Sequence, residues 1–155
     1  MALDPNHERH LSELQEHLDR ARTVTSDLME DVIVQACLRV RAHHPAAKAR
    51  VARLIESGAF VEAALAMIEL ELPGWKLRRL VCEDGEWICS LSRNRELPDW
   101  LDDATEARHE TLALAILAAF LEAQRDAAPS DQVNSTTVPS VRPPADYGVC
   151  CDNFA

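Results

Sequence analysis

Three sets of residues carry side chains that could do chemistry. His10, Glu13 and His17 fall at i, i+3 and i+7 of an expected first helix, so they share one face. Zinc takes imidazole and carboxylate ligands, which makes metal binding the first chemistry to weigh. His10 and His17 would lie two turns apart, roughly 10 Å along the axis. One ion cannot bridge that span without a third group, and a solvated helix face accounts for the spacing equally well. The second set is the cysteines. Cys82 and Cys89 are spaced C-x6-C, whereas a zinc ribbon needs C-x2-C. Cys37 sits in an apolar stripe. The expectation for all three is a buried structural thiol. Cys150 and Cys151 are adjacent in a polar tail, where thiols are open to oxidation or to a soft metal. A chance pair explains them as well. For nucleophilic catalysis there are His109, the cysteines and several serines, but no spacing sets a base and an orienting acid around a nucleophile. His109 reads as a helix-boundary residue. Neither a phosphate-binding P-loop nor G-x-G-x-x-G occurs. The expectation is no catalytic residue, no cofactor, no resident metal and no enzyme activity.

The third set is cationic. Lys76, Arg78, Arg79, Arg93 and Arg95 gather at the open end of an expected hairpin, with Trp75 beside them. Charge plus aromatic stacking is how single-stranded nucleic acid is held. The carboxylates of Glu96, Asp99, Asp102 and Asp103 follow directly and offer pairing instead. The formal net charge is -10, and it divides as -4 over residues 1–72, -4 over 73–126 and -2 over 127–155. A surface that works by neutralising phosphates is disfavoured by that balance, so nucleic acid is an unlikely partner here.

These side chains need elements to position them. Asp4-Pro5 opens a helix, because proline lacks the amide that would go unpaired there. Leu11, Leu14, Leu18 and Ala21 give it a narrow apolar seam. Thr23 to Ser26 interrupts it, and Ser26 is placed to cap the next helix. Leu28, Met29, Val32, Ile33, Ala36, Cys37 and Val40 make that helix strongly amphipathic. Shorter helices follow at about 46–57 and 59–71, stopped by Ser57-Gly58 and Pro73-Gly74. Asp84-Gly85 then predicts a two-residue hairpin turn, which pairs Cys82 with Trp87 and Leu80 with Cys89, and sets Arg78 opposite Leu91. A last helix spans about 106–126. Its run Leu112–Leu121 is ten apolar residues long, too short to span a bilayer. The chain shows no basic-then-apolar leader, so a cytoplasmic protein with thiols rather than disulfides is expected, and no membrane partner.

The pattern Gly74-Trp-Lys-Leu-Arg-Arg-Leu80, Glu83-Asp-Gly-Glu-Trp87-x-Cys-Ser-Leu-Ser92, Leu97-Pro-x-Trp-Leu-Asp102, His109, Leu112-Ala-Leu-Ala-Ile-Leu117 and Leu121-Glu-Ala123 resembles a group of small uncharacterised proteins of rhizobium-like alphaproteobacteria. The likeness covers about Arg50 to Arg125. It implies a bacterial cytosolic origin and no assigned chemistry. More loosely, the tryptophan hairpin and the Ala/Leu-rich helix are similar to the small phage-type α/β sandwich module.

The expected fold is α+β and helix-rich. It has about four N-terminal helices, one two-stranded antiparallel β-hairpin at about 75–93, and a long apolar C-terminal helix at about 106–126. The expected division is a loosely packed N-terminal helix over 1–25, a globular domain over 26–126, and a disordered tail with Pro, Ser and Thr over 127–155. Ten apolar residues in a row are hard to shelter in so small a domain, so a homodimer is expected. The functional expectation is a non-enzymatic accessory or regulatory protein acting through protein–protein contact. Its interaction residues would be Trp75, Trp87, Trp100, Leu112, Ile116 and Phe120. The alternatives are a nucleic-acid-associated regulator using Arg78, Arg79, Arg93 and Arg95, or a thiol- or metal-responsive protein.

Overall fold

Pro5 starts helix α1 (Pro5–Arg20) in the computed structural model, which describes residues 5–43, 45–93, 96–98, 102 and 104–127. Leu11, Leu14 and Leu18 of α1 are buried in the common core, so this helix is a packed layer. A lone helix of this length is marginal in water, and its seam against the rest of the chain is what holds it. Thr25 is the N-cap of α2 (Ser26–Ala36), its side chain accepting from the Leu28 amide at 3.2 Å. Ser26, expected to cap, is already helical. The amphipathic segment does not run through to His43. It breaks at Cys37 and resumes as α3 (Leu38–His43), so among the described residues five helices rather than four precede the sheet. After α4 (Pro45–Glu56), Gly58 takes a φ of +75°, which only glycine adopts without strain, and α5 (Phe60–Glu71) begins.

The break at Cys37 has a visible cause. Glu71, the last residue of α5, is buried, and its carboxylate accepts from two backbone amides of α3, Val40 at 2.6 Å and Arg39 at 3.1 Å. The first amides of a helix have no partner within it, and a carboxylate there meets both the hydrogen-bonding need and the helix dipole. A new helix start is thus anchored in mid-segment.

Among the described residues the sheet has three strands, not two. Strand β1 (Lys76–Glu83) pairs antiparallel with β2 (Glu86–Ser92), and β2 pairs antiparallel with β3 (Thr105–His109). Asp84 and Gly85 form the turn with φ of 53° and 86°, and Cys82 faces Trp87 as Leu80 faces Cys89. The register then shifts between Leu77 and Arg79, so Leu77 and not Arg78 lies opposite Leu91. A bulge of one residue reverses the facing of everything before it. Leu77 and Trp75 are thereby turned onto the core side with Leu80, Cys89 and Leu91.

Residues 105–109 were expected to open the last helix. Glu, Ala and Arg favour a helix, but β2 has a second edge to pair, and tertiary pairing overrides weak propensity. Helix α6 therefore runs from Leu112 to Ala127. It lies against β2 and β3 on one side and against α1 and α5 on the other. Every residue from Ala113 to Leu121 is at most 5% exposed within this single chain. The apolar belt is enclosed by its own fold, and it gives no reason to call for a second subunit. The tail 127–155 lies outside the described residues, apart from Ala127 itself.

Two substitutions test this account. Phe120→Ala should cost about 3–5 kcal/mol through the cavity it leaves. Glu71→Ala should cost about 1–3 kcal/mol by orphaning the α3 amides. Both should lower the urea midpoint without changing the slope; an unmoved midpoint for Glu71→Ala would show that the cap is not what starts α3.

Candidate functional site

Among the described residues, the arginines of the cluster are each engaged by a neighbour. The Arg78 guanidinium is mostly buried and pairs with the Asp102 carboxylate, which also accepts from Ser92 Oγ at 2.7 Å. A second Arg78 nitrogen donates to the Leu97 carbonyl at 2.9 Å. Arg78, the residue at the bulge, therefore ties the β2–β3 connection to the sheet. Arg79 pairs with Glu83 at 2.5 Å on the surface. Arg93 stacks over the Trp75 ring, 4.9 Å from its centroid. Trp75 itself is only 5% exposed and belongs to the core, so it offers no platform for a base. Trp87 is half-buried against the same core. Arg95 and Trp100 lie outside the described residues. Of the proposed contact residues on α6, Ile116 and Phe120 are fully buried and Leu112 is half-buried, so Ile116 and Phe120 are core and cannot meet a partner.

His10, Glu13 and His17 stand on the exposed face of α1. Among the described residues, no group of three or more His, Cys, Asp or Glu side chains is gathered as a metal site. His109 Nδ1 accepts from the Thr111 amide at 2.9 Å, and Thr111 Oγ1 donates to the Arg22 carbonyl at 2.8 Å. His109 thus closes the turn between β3 and α6. The open basin beside it, about 420 Å³, matches Arg20, Arg22 and Arg108 with Asp19, Glu86 and Glu110.

A surface that the sequence patterning passed over is the groove between α2, α3 and α4. It is about 360 Å³ and is floored by Ile33, Val34, Val40, Val51, Ala52 and Ile55. Val34 is 57% exposed, and Leu38, just past the helix break, is 55% exposed. Both are large apolar side chains on the wet side. The signal was present: Val34 and Leu38 fall off the stripe that Leu28, Val32, Ala36 and Val40 define, and they are left over once the core is assigned. Val34 lines the groove, and Leu38 begins α3 just past the break that Glu71 caps. Arg41, in α3, donates to the Val34 carbonyl at 2.7 Å and fixes α3 against the end of α2.

The charge around this groove departs from that of the whole chain. Residues 38–56 hold Arg39, Arg41, Lys48, Arg50 and Arg53 against Glu56 alone, a balance of +4 in a chain of -10. All five cations are exposed. Glu30 and Glu56 stand on the groove rim, and so do Arg41 and Lys48. Arg41 and Lys48 belong to the junction where α2, α3 and α4 meet, and Glu56 closes the far end of α4. The site therefore presents an apolar floor with a basic end, which suits a segment that is apolar and acidic.

The thiols separate by burial. Cys82 is exposed, against the expectation of burial, because the strand carries it past the edge of the core near the hairpin turn. Cys37 and Cys89 are buried. Burial pushes the Cys89 thiol up to about 12. Burial, and then the neighbouring Glu71 carboxylate, raise Cys37 well above the ordinary thiol range. Each folded-state value is raised, so the stability it contributes is present below the ordinary value of 9.0 and is lost as pH climbs from there towards 12. In a Cys150→Ser/Cys151→Ser variant, thiol titration of the native protein near neutral pH should find one fast thiol, Cys82. Cys37 and Cys89 should react only on unfolding, and fast labelling of either would contradict the packing around α3 or β2.

Compared with family models, with curated proteins and with solved structures, the chain matches none of them.

Proposed function

We propose that this protein works through protein–protein contact and that the groove between α2, α3 and α4 is the surface it uses. The observation that supports this reading is the exposure of Val34 in an apolar groove, with Leu38 exposed at the start of α3. Single exposed apolar residues are ordinary, but Val34 continues the apolar lining of a groove, and exposed apolar patches mark contact sites. The basic end contributes direction and partner choice more than affinity. An accessory or regulatory role belongs to the same proposal, with the bacterial cytosolic setting that the sequence resemblance implies. Among the described residues, no helix is long and apolar enough to cross a membrane.

Self-association is the form of contact to test first. With α6 enclosed, the groove is the apolar surface left for a homodimer contact in this reading, and an isologous pairing there would bury Val34 of both copies. Light scattering of the full chain should give a mass that rises above 17.3 kDa at high micromolar concentration. The Val34→Asp/Leu38→Asp variant should stay at the monomer mass with its unfolding transition intact, because both positions are already wet. A wild-type chain that remains at monomer mass throughout, or a variant that associates equally well, would remove self-association through this groove.

A further inference from the structure

We infer that the joint between α2 and α3 is a two-state element, able to close into one continuous helix, and that the groove takes a partner only while the joint is broken. This rests on reading the groove as a contact surface, and it adds how that surface is regulated.

In a continuous helix the Leu38, Arg39 and Val40 amides would donate to the carbonyls of Val34, Gln35 and Ala36, four residues back. Here those groups have other partners. The Arg39 and Val40 amides donate to the Glu71 carboxylate at 3.1 and 2.6 Å. The Val34 carbonyl accepts from the Arg41 guanidinium at 2.7 Å, and the Ala36 carbonyl from Gln124 Nε2 at 2.6 Å. Helical bonding runs up to the gap and resumes directly beyond it: the Cys37 amide donates to the Ile33 carbonyl, and the Arg41 amide to the Cys37 carbonyl. The bond from Val40 to Ala36 is thus opened, and each half is satisfied by a side chain of another helix, Glu71 of α5 and Gln124 of α6. Because each opened group has a partner in both forms, neither form leaves these amides and carbonyls bare.

Two further observations favour a closed form. Leu28, Val32, Ala36 and Val40 keep their spacing straight through Cys37, so one helix would present the same apolar row to the core. The broken form is also imperfectly satisfied, since Gln124 Oε1 is buried with no donor among the described residues. The groove depends on the break because its lining comes from both sides of it, Ile33 and Val34 from α2, Val40 and Arg41 from α3. Closing the joint would turn these side chains relative to one another. It would also swing the start of α4, which follows α3 after a single residue. A partner seated on both sides therefore selects the broken form, and by linkage whatever favours the broken form strengthens partner binding.

The test follows the Cα chemical shifts of Ala36, Cys37 and Leu38 in the full chain, with association measured by light scattering. Cys37 has φ of −109° and ψ of 70°, outside the helical region, so closure moves its Cα signal to a helical value. Glu71→Gln removes the charge that holds the α3 amides. It should shift these signals towards helical values and raise the concentration needed for association about five-fold or more. Adding Leu38→Pro should return both to wild type, because proline suits the first position of α3 but cannot continue α2. Proline supplies no acceptor for the Val40 amide, so the loss of a merely structural cap would not be rescued. Gln124→Met, which leaves every charge in place, should move the same signals part of the way. Signals that keep their wild-type positions in both Glu71→Gln and Gln124→Met would overturn the two-state joint; if Glu71→Gln does not fold, Gln124→Met decides alone. If the signals move and association does not, while Val34→Asp/Leu38→Asp still abolishes it, the contact reading stands and its regulation by the joint falls. If the signals move and Val34→Asp/Leu38→Asp leaves association unchanged, the two-state joint stands and the contact reading falls.

Discussion

Helix α6 has no wet side between Ala113 and Leu121, and the arrangement of the other elements follows from that. A helix that is apolar all round must be wrapped, because each large side chain left in water forgoes about 1.5–3 kcal/mol of burial. The sheet covers one flank through Cys89, Leu91 and Ala107, and α1 and α5 cover the other. No single neighbour is wide enough for the task. This is why α1, a charged helix with one narrow seam, is drawn into the fold, and why β3 must exist. A two-stranded ribbon would leave the side of α6 that now meets β3 open to solvent.

Much of this was legible from residue types. Pro5, Gly58 and the Asp84-Gly85 turn are backbone signals with one local meaning, and each marks the boundary or turn it implies. The α+β class follows from them. The third strand was not legible, because Thr105–His109 carries no strand preference strong enough to outweigh its helix formers; what makes it a strand is the unpaired edge of β2, twelve or more residues away. One trace of it was present. Glu106 and Arg108 are two apart and pair at 3.1 Å, a spacing that faces one way on a strand and two ways on a helix.

The candidate site was harder to read, for a related reason. Sequence patterning finds the residues that a core takes and treats the remainder as surface. Arg78 and Arg79 looked like one cationic patch because they are adjacent. The bulge separates them, sending one to Asp102 and leaving the other beside Glu83. Val34 and Leu38 looked like strays because they miss the stripe. Only the Glu71 carboxylate, thirty-two residues from Arg39 in sequence, shows why a helix stops and restarts there and so why Leu38 opens a new helix instead of continuing the old one.

The same bulge bears on how copies of the chain can meet. Strand β1 is an outer strand of the sheet, eight residues long, and a straight outer strand is a template for adding another strand. The extra residue at Arg78 kinks its hydrogen-bonding row, and Lys76, Arg79 and Glu83 stud it with exposed charge. Runaway stacking of sheets, the route to insoluble fibres, is blunted along this margin. The charged, kinked row therefore offers a poor docking line for a further strand along this margin.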